Sequence, residues 1–125
     1  MKVLLVADSP WVINQTHAAL GGSHEIVEVD DPYEAENTLA AAAADVVLID
    51  MQVGSMGGMA LTRSLKGVVM AGEAPDAPMV LLLDRSADEF LAKRSGADAW
   101  LIKPFTSQDL AAVLESVGTS VADPA

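Results

Sequence analysis

"DVVLIDMQVGSMGGM", residues 45–59, joins an apolar run to a carboxylate and then to a loop that carries no charge. Val46–Ile49 is continuously apolar and rich in Val, Leu and Ile, the composition of a strand buried on both faces rather than the alternation of a half-exposed one. Asp50 then stands at the carboxyl end of a buried strand. A carboxylate there has two readings: a nucleophile or ligand presented to a site, or a cap for the loop amides of residues 52–54.

Four further apolar runs recur at fairly even spacing on either side, Val3–Ala7, Glu25–Val29, Met79–Leu83 and Ala99–Ile102. Val3–Ala7 and Met79–Leu83 are as uniformly apolar as Val46–Ile49, whereas Glu25-Ile26-Val27-Glu28-Val29 alternates and predicts an edge strand. Helical signals fill the gaps. Ser9-Pro10 reads as N-cap and first-turn proline, with Gly21-Gly22 as the stop. Asp31-Pro32 opens a second helix with Glu34 and Glu36 in its early turns, where the macrodipole favours them. Leu61, Leu65 and Val69 form the stripe of a third. Ala87, Phe90, Leu91 and Arg94 suit a fourth that Gly96 ends. Leu110, Val113, Leu114 and Val117 form the stripe of a fifth, capped by Thr106 or Ser107. Five strands alternating with five helices predict an α/β fold, a doubly wound, mostly parallel sheet. The chain reads as one domain over residues 1–118 followed by a short tail at 119–125, without internal repeats.

Composition narrows the function. The chain has 125 residues, and 51% are hydrophobic, enough for a core without staples. The absence of cysteine removes disulfides, thiolate metal sites and thiol nucleophiles together. Seven basic residues against eighteen acidic ones, a net charge of −11, argue against a nucleic-acid partner. No apolar stretch approaches the roughly 20 residues of a membrane span, and Asp8 follows the first run too soon for a signal peptide. A cytoplasmic domain without membrane insertion is expected.

Open α/β sheets bind ligands beyond the carboxyl ends of their strands. Ala7-Asp8-Ser9 follows the first run, Asp50 the third, Asp84 the fourth and Lys103-Pro104 the fifth. If strands one, three and five lie side by side, Asp8, Asp50 and Lys103 converge. Two carboxylates and an ammonium suit a hard cation plus an anionic group, and equally an aspartyl nucleophile whose acyl phosphate needs its charge neutralised. The glycines at 54, 57 and 58 match neither G-x-G-x-x-G nor a P-loop and read as turn residues. His17 and His24 are isolated and read as solvated. The methionines at 51, 56, 59, 70 and 79 read as adaptable packing. Trp11 and Trp100 read as covers of the functional end or as part of a partner interface. A phosphate hydrolase of another α/β family is disfavoured, since Asp50-Met51-Gln52 lacks a second acid.

Taken together, Val3-Leu4-Leu5-Val6-Ala7-Asp8, Asp45-Val46-Val47-Leu48-Ile49-Asp50, Gly57-Gly58-Met59 and above all Gly96-Ala97-Asp98-Ala99-Trp100-Leu101-Ile102-Lys103-Pro104-Phe105 resemble a response-regulator receiver domain over about residues 2–117. The resemblance implies a flavodoxin-like fold with strand order 2-1-3-4-5. It implies Asp50 as phosphoacceptor, Lys103 as the cation on the phosphoryl group, and Mg²⁺ held by Asp8, Asp50 and the backbone carbonyl of Gln52. It further implies a cis bond before Pro104 and a conformational switch at positions 83, 84 and 100. The implied partners are a sensor histidine kinase or phosphotransfer protein and a downstream protein docking on the face of the fourth helix, fifth strand and fifth helix, with a homodimer as a further option. Catalysis is limited to self-phosphorylation from a phosphodonor and slow autodephosphorylation.

Four departures mark an atypical, stand-alone member. Ala7 replaces the first of two adjacent acids, which lowers the expected Mg²⁺ affinity. Leu83 replaces the switch Ser or Thr and cannot donate to a phosphoryl oxygen. Asp84 places a like charge beside the acceptor. Gly54 and Gly57 replace a proline and an acid in the loop. A phosphorylation-independent pseudo-receiver, acting as an interaction module, is the alternative.

Overall fold

The computed structural model describes residues 1–54 and 56–122, with side chains through Val117. Five strands, β1 (Lys2–Val6), β2 (Glu25–Val29), β3 (Val46–Asp50), β4 (Met79–Leu83) and β5 (Ala99–Ile102), form one parallel sheet in the order β2-β1-β3-β4-β5. The helices are α1 (Pro10–Leu20), α2 (Ala35–Ala42), α3 (Gly58–Met70), α4 (Glu89–Ser95) and α5 (Ser107–Ala122). Short 3-10 turns at Pro32–Glu34 and Ser86–Asp88 lead into α2 and α4.

Strand alternation explains the unbroken apolar runs. Leu4, Val6, Val47, Ile49, Leu81 and Leu83 face a layer built with Leu39 of α2, Leu61 and Leu65 of α3 and Ala92 of α4. Val3, Leu5, Val46, Leu48, Val80 and Leu82 face the opposite layer, with Val12 and Leu20 of α1 and Leu110, Leu114 and Val117 of α5. Helices cover both faces, so the apolar residues of the central strands all enter a core. β2 lies at one edge with its glutamates exposed, as its alternation predicts, and β5 is the other edge.

Two local expectations change. The fourth helix buries Ala92 and Ser95, while Phe90 and Leu91 are 65% and 48% exposed. In a seven-residue helix the small residues approach the sheet, and the large apolar ones are left outside. The fifth helix runs to Ala122, past the boundary drawn at residue 118, because a lone glycine at 118 costs about 1 kcal/mol without stopping a helix. The remainder of the expected tail, residues 123–125, lies outside the described residues. His17 is exposed, as a solvated histidine would be, with Glu28 at 3.0 Å, and His24 lies 3.1 Å from the N-terminal amine.

Candidate functional site

Asp50 ends β3 in register with Leu82 and is 1% exposed. Its Oδ1 accepts hydrogen bonds from Lys103 Nζ at 2.5 Å and from the Gln52 amide at 3.3 Å. Its Oδ2 accepts none among the described residues. The Gln52 hydrogen bond is the loop-capping contact, and it shares Oδ1 with the lysine. The turn below it depends on Gly58, where a Cβ would lie 2.6 Å from the Asp50 carbonyl oxygen and 2.8 Å from Met51 Cα.

Lys103 follows β5, and its amide donates to the Leu83 carbonyl at 2.8 Å. The Lys103–Pro104 peptide is cis. β5 is not beside β3, since β4 lies between them. Lys103 therefore crosses the end of β4 to reach Asp50, and on the way it meets the carboxylate that follows β4. Asp84 Oδ1 accepts from Nζ at 3.0 Å, while Asp84 Oδ2 is buried without a partner among the described residues. Burial opposes the Lys103 charge, but the hydrogen bonds and fields of Asp50 and Asp84 outweigh it and hold the ammonium above the usual lysine range. Leu83 is fully buried with Ile49 and Ala92.

Asp8 is exposed, and its Oδ2 accepts from the Gly54 amide at 3.0 Å, tying the loop after β3 to the end of β1. Gly54 has φ +54°, and a Cβ there would come within 2.9 Å of Pro32. Ser55, inside the same glycine-rich loop, lies outside the described residues. Ala7, where a second acid would stand, is 1% exposed and packs in the α1–α5 layer. No cluster of three or more His or acidic side chains suited to a metal occurs among the described residues. The oxygen donors at hand are Asp8, Asp50 and the backbone carbonyl of Gln52, itself an exposed residue. Two carboxylates and a carbonyl fit a hydrated Mg²⁺, which commonly uses one or two carboxylates and keeps several waters.

The aromatic residues occupy separate places. Trp11, 43% exposed, sets its ring edge-on to Phe105 at 5.2 Å, and Gln15 donates to the Phe105 carbonyl at 3.2 Å. Trp100 lies in edge strand β5, where its indole N–H donates to Glu89 of α4 at 2.9 Å. Glu89 and the bridging of Lys103 to Asp84 are the site features that sequence reasoning missed. One pairs a strand with the start of a helix and the other joins the ends of two strands, and neither leaves a periodic signal.

An aspartate-centred site at the carboxyl edge of a 2-1-3-4-5 parallel sheet defines the class. A family model for the response regulator receiver domain matches residues 3–115, and the chain belongs to that family, the receivers of two-component signalling. It is 31% identical to the chemotaxis protein CheY1 of Helicobacter pylori, over 94% of this chain and 96% of that protein. It is 30% identical to the sensor protein GacS of Pseudomonas syringae over 99% of this chain, but spans only 14% of GacS. Among solved structures, the BeF3-activated N-terminal receiver domain of Klebsiella pneumoniae RstA superposes with a TM-score of 0.81 at 29% identity, covering 94% of this chain and 98% of that one. No helix among the described residues is long and apolar enough to cross a membrane.

Proposed function

We propose that this receiver accepts a phosphoryl group on Asp50 from the phosphohistidine of a sensor histidine kinase or phosphotransfer protein. The observation that carries the reading is the division of Asp50, with one oxygen held by Lys103 and the Gln52 amide and the other unengaged. In the transfer, a P–O bond forms on the unengaged oxygen as the donor's P–N bond breaks, and the histidine nitrogen keeps the electron pair. Lys103 offsets the charge that arrives on Asp50, in a setting where few waters compete. Asp8, Asp50 and the Gln52 carbonyl would hold Mg²⁺, which when bound spreads the phosphoryl charge. The missing acid at Ala7 makes that site a weak one.

Output by protein contact through α4, β5 and α5 is supported by the exposure of Phe90 and Leu91 and by the −11 charge, which disfavours nucleic acid. The match to nearly all of CheY1 supports a stand-alone receiver. The match to GacS supports the same domain working inside a longer chain. Intact-mass measurement with a small phosphodonor and Mg²⁺ is expected to show one added phosphoryl group on the wild type and none on Asp50→Asn. A folded wild type that gains no mass overturns the reading.

A second reading, the phosphorylation-independent interaction module, is favoured by one observation. Ala7 and Leu83 are sealed in the two cores, so neither offers the site a polar group. Under it, Asp50→Asn leaves partner binding unchanged.

A further inference from the structure

The end of β4 carries an arrangement that phosphoacceptance by itself does not require. Lys103 Nζ is shared between two carboxylates, Asp50 Oδ1 at 2.5 Å and Asp84 Oδ1 at 3.0 Å. Asp84 Oδ2 is buried with no hydrogen-bond partner among the described residues. A half-satisfied carboxylate is costly, and Lys103 is its one cation within salt-bridge distance among the described residues. The side chain is nonetheless 29% exposed, so it has a route out of the pocket that Asp50, 1% exposed, lacks.

We infer that Asp84 is an internal competitor for Lys103, a positioning residue that holds the ammonium in the unmodified state and must release it when a phosphoryl group seats on Asp50. The inference rests on the reading of Asp50 as phosphoacceptor. The ammonium sits between two carboxylates, and a dianionic group on Asp50 adds charge next to Asp84. Like charges at this range disfavour each other strongly where burial limits screening. Turning outward relieves both the repulsion and the unpaired oxygen. Asp84 thereby gives the end of β4 two states, at a site where Leu83 has no hydroxyl with which to sense phosphate. Arg85 and Asp88, paired at 3.2 Å in the turn that leads to α4, follow immediately in the chain and would convey the movement to that helix.

Beryllofluoride with Mg²⁺, titrated into the full chain and followed by Trp11 and Trp100 fluorescence, tests this with four proteins. Asp84→Asn keeps the shape and removes the charge, Asp84→Ser is a smaller check on folding, and Asp84→Glu keeps the charge. Asn and Ser are expected to bind about tenfold tighter or more than wild type, the size of a neighbouring like-charge effect. Glu is expected to stay near wild type, a contrast that mere packing would not produce. Binding by Asn and Ser alone supports the inference in its strongest form. Measurable wild-type binding that Asn and Ser leave unchanged or weaken overturns it while sparing the phosphoacceptor reading. No binding by any variant, with no mass gain from a phosphodonor, overturns both.

Discussion

β3 and β4 lie side by side and each leads into an aspartate, yet the two carboxylates are treated differently. Asp50 is the last residue of its strand, sealed from solvent, and its Oδ1 takes two hydrogen bonds. Asp84 stands one residue beyond its strand, partly exposed, with one oxygen on Lys103 and the other bare. One end is built to stay, and the other can leave. The lysine that joins them comes from neither strand. Its reach across β4 makes the two ends a single electrostatic unit, so a charge added at one is felt at the other.

Removing that lysine is the strongest way to break the comparison. Lys103→Met keeps an apolar stem and deletes the charge, leaving Asp50 buried without a cation. The expected loss is about 3 kcal/mol in the metal-free protein, the range for a broken buried pair. If the two ends differ as described, the cost belongs to Asp50. Adding Asp50→Asn to Lys103→Met should restore most of the stability, whereas adding Asp84→Asn should restore little. Urea unfolding of the single and double variants measures this, and equal recovery by both would erase the distinction.

The neighbour of Asp84 offers a smaller test. Leu83 is fully buried against Ile49 and Ala92, so Leu83→Thr trades apolar burial for a hydroxyl that needs a partner. A loss of about 2 kcal/mol is expected from the two effects together. A Thr variant as stable as wild type would mean that the end of β4 already has a polar acceptor on its α2–α4 side. The closed apolar contact of Leu83 would then be the wrong description.

The sheet was legible because burial on both faces writes itself as runs such as Val46–Ile49 and Met79–Leu83, and an edge as the alternation at Glu25–Val29. The residues beyond the strands were legible for a related reason, since polar side chains interrupt apolar runs at the sheet's rim. What was not legible is which rim residues meet. Asp8 spends an oxygen on the Gly54 amide, and Lys103 bridges two acids because β4 separates β5 from β3. Such pairings depend on side-chain reach across neighbouring strands, which spacing along the chain does not encode. The fourth helix failed for want of length. Seven residues fit more than one stripe, and the buried one consists of small side chains that carry little hydropathic signal.

The smallest expected effect is on pH. In the metal-free protein, burial works against the Lys103 ammonium, but Asp50 and Asp84 hold its pKa above the ordinary 10.5. A group whose pKa is raised on folding stabilises the native state fully below its unfolded pKa, and that contribution is lost as pH rises through the higher folded value. From neutral pH up to about pH 9 the pair should therefore contribute a constant amount, with the fall confined to alkaline conditions above 10.5. Thermal melts of wild type and Lys103→Met should run parallel below that point and converge beyond it. Asp84→Asn removes one of the two carboxylates, so its fall, which starts from the same unfolded pKa, should be smaller and end at lower pH than that of wild type. If the fall has the same size and end point in both, Asp50 alone holds the ammonium, and the two strand ends are not one unit.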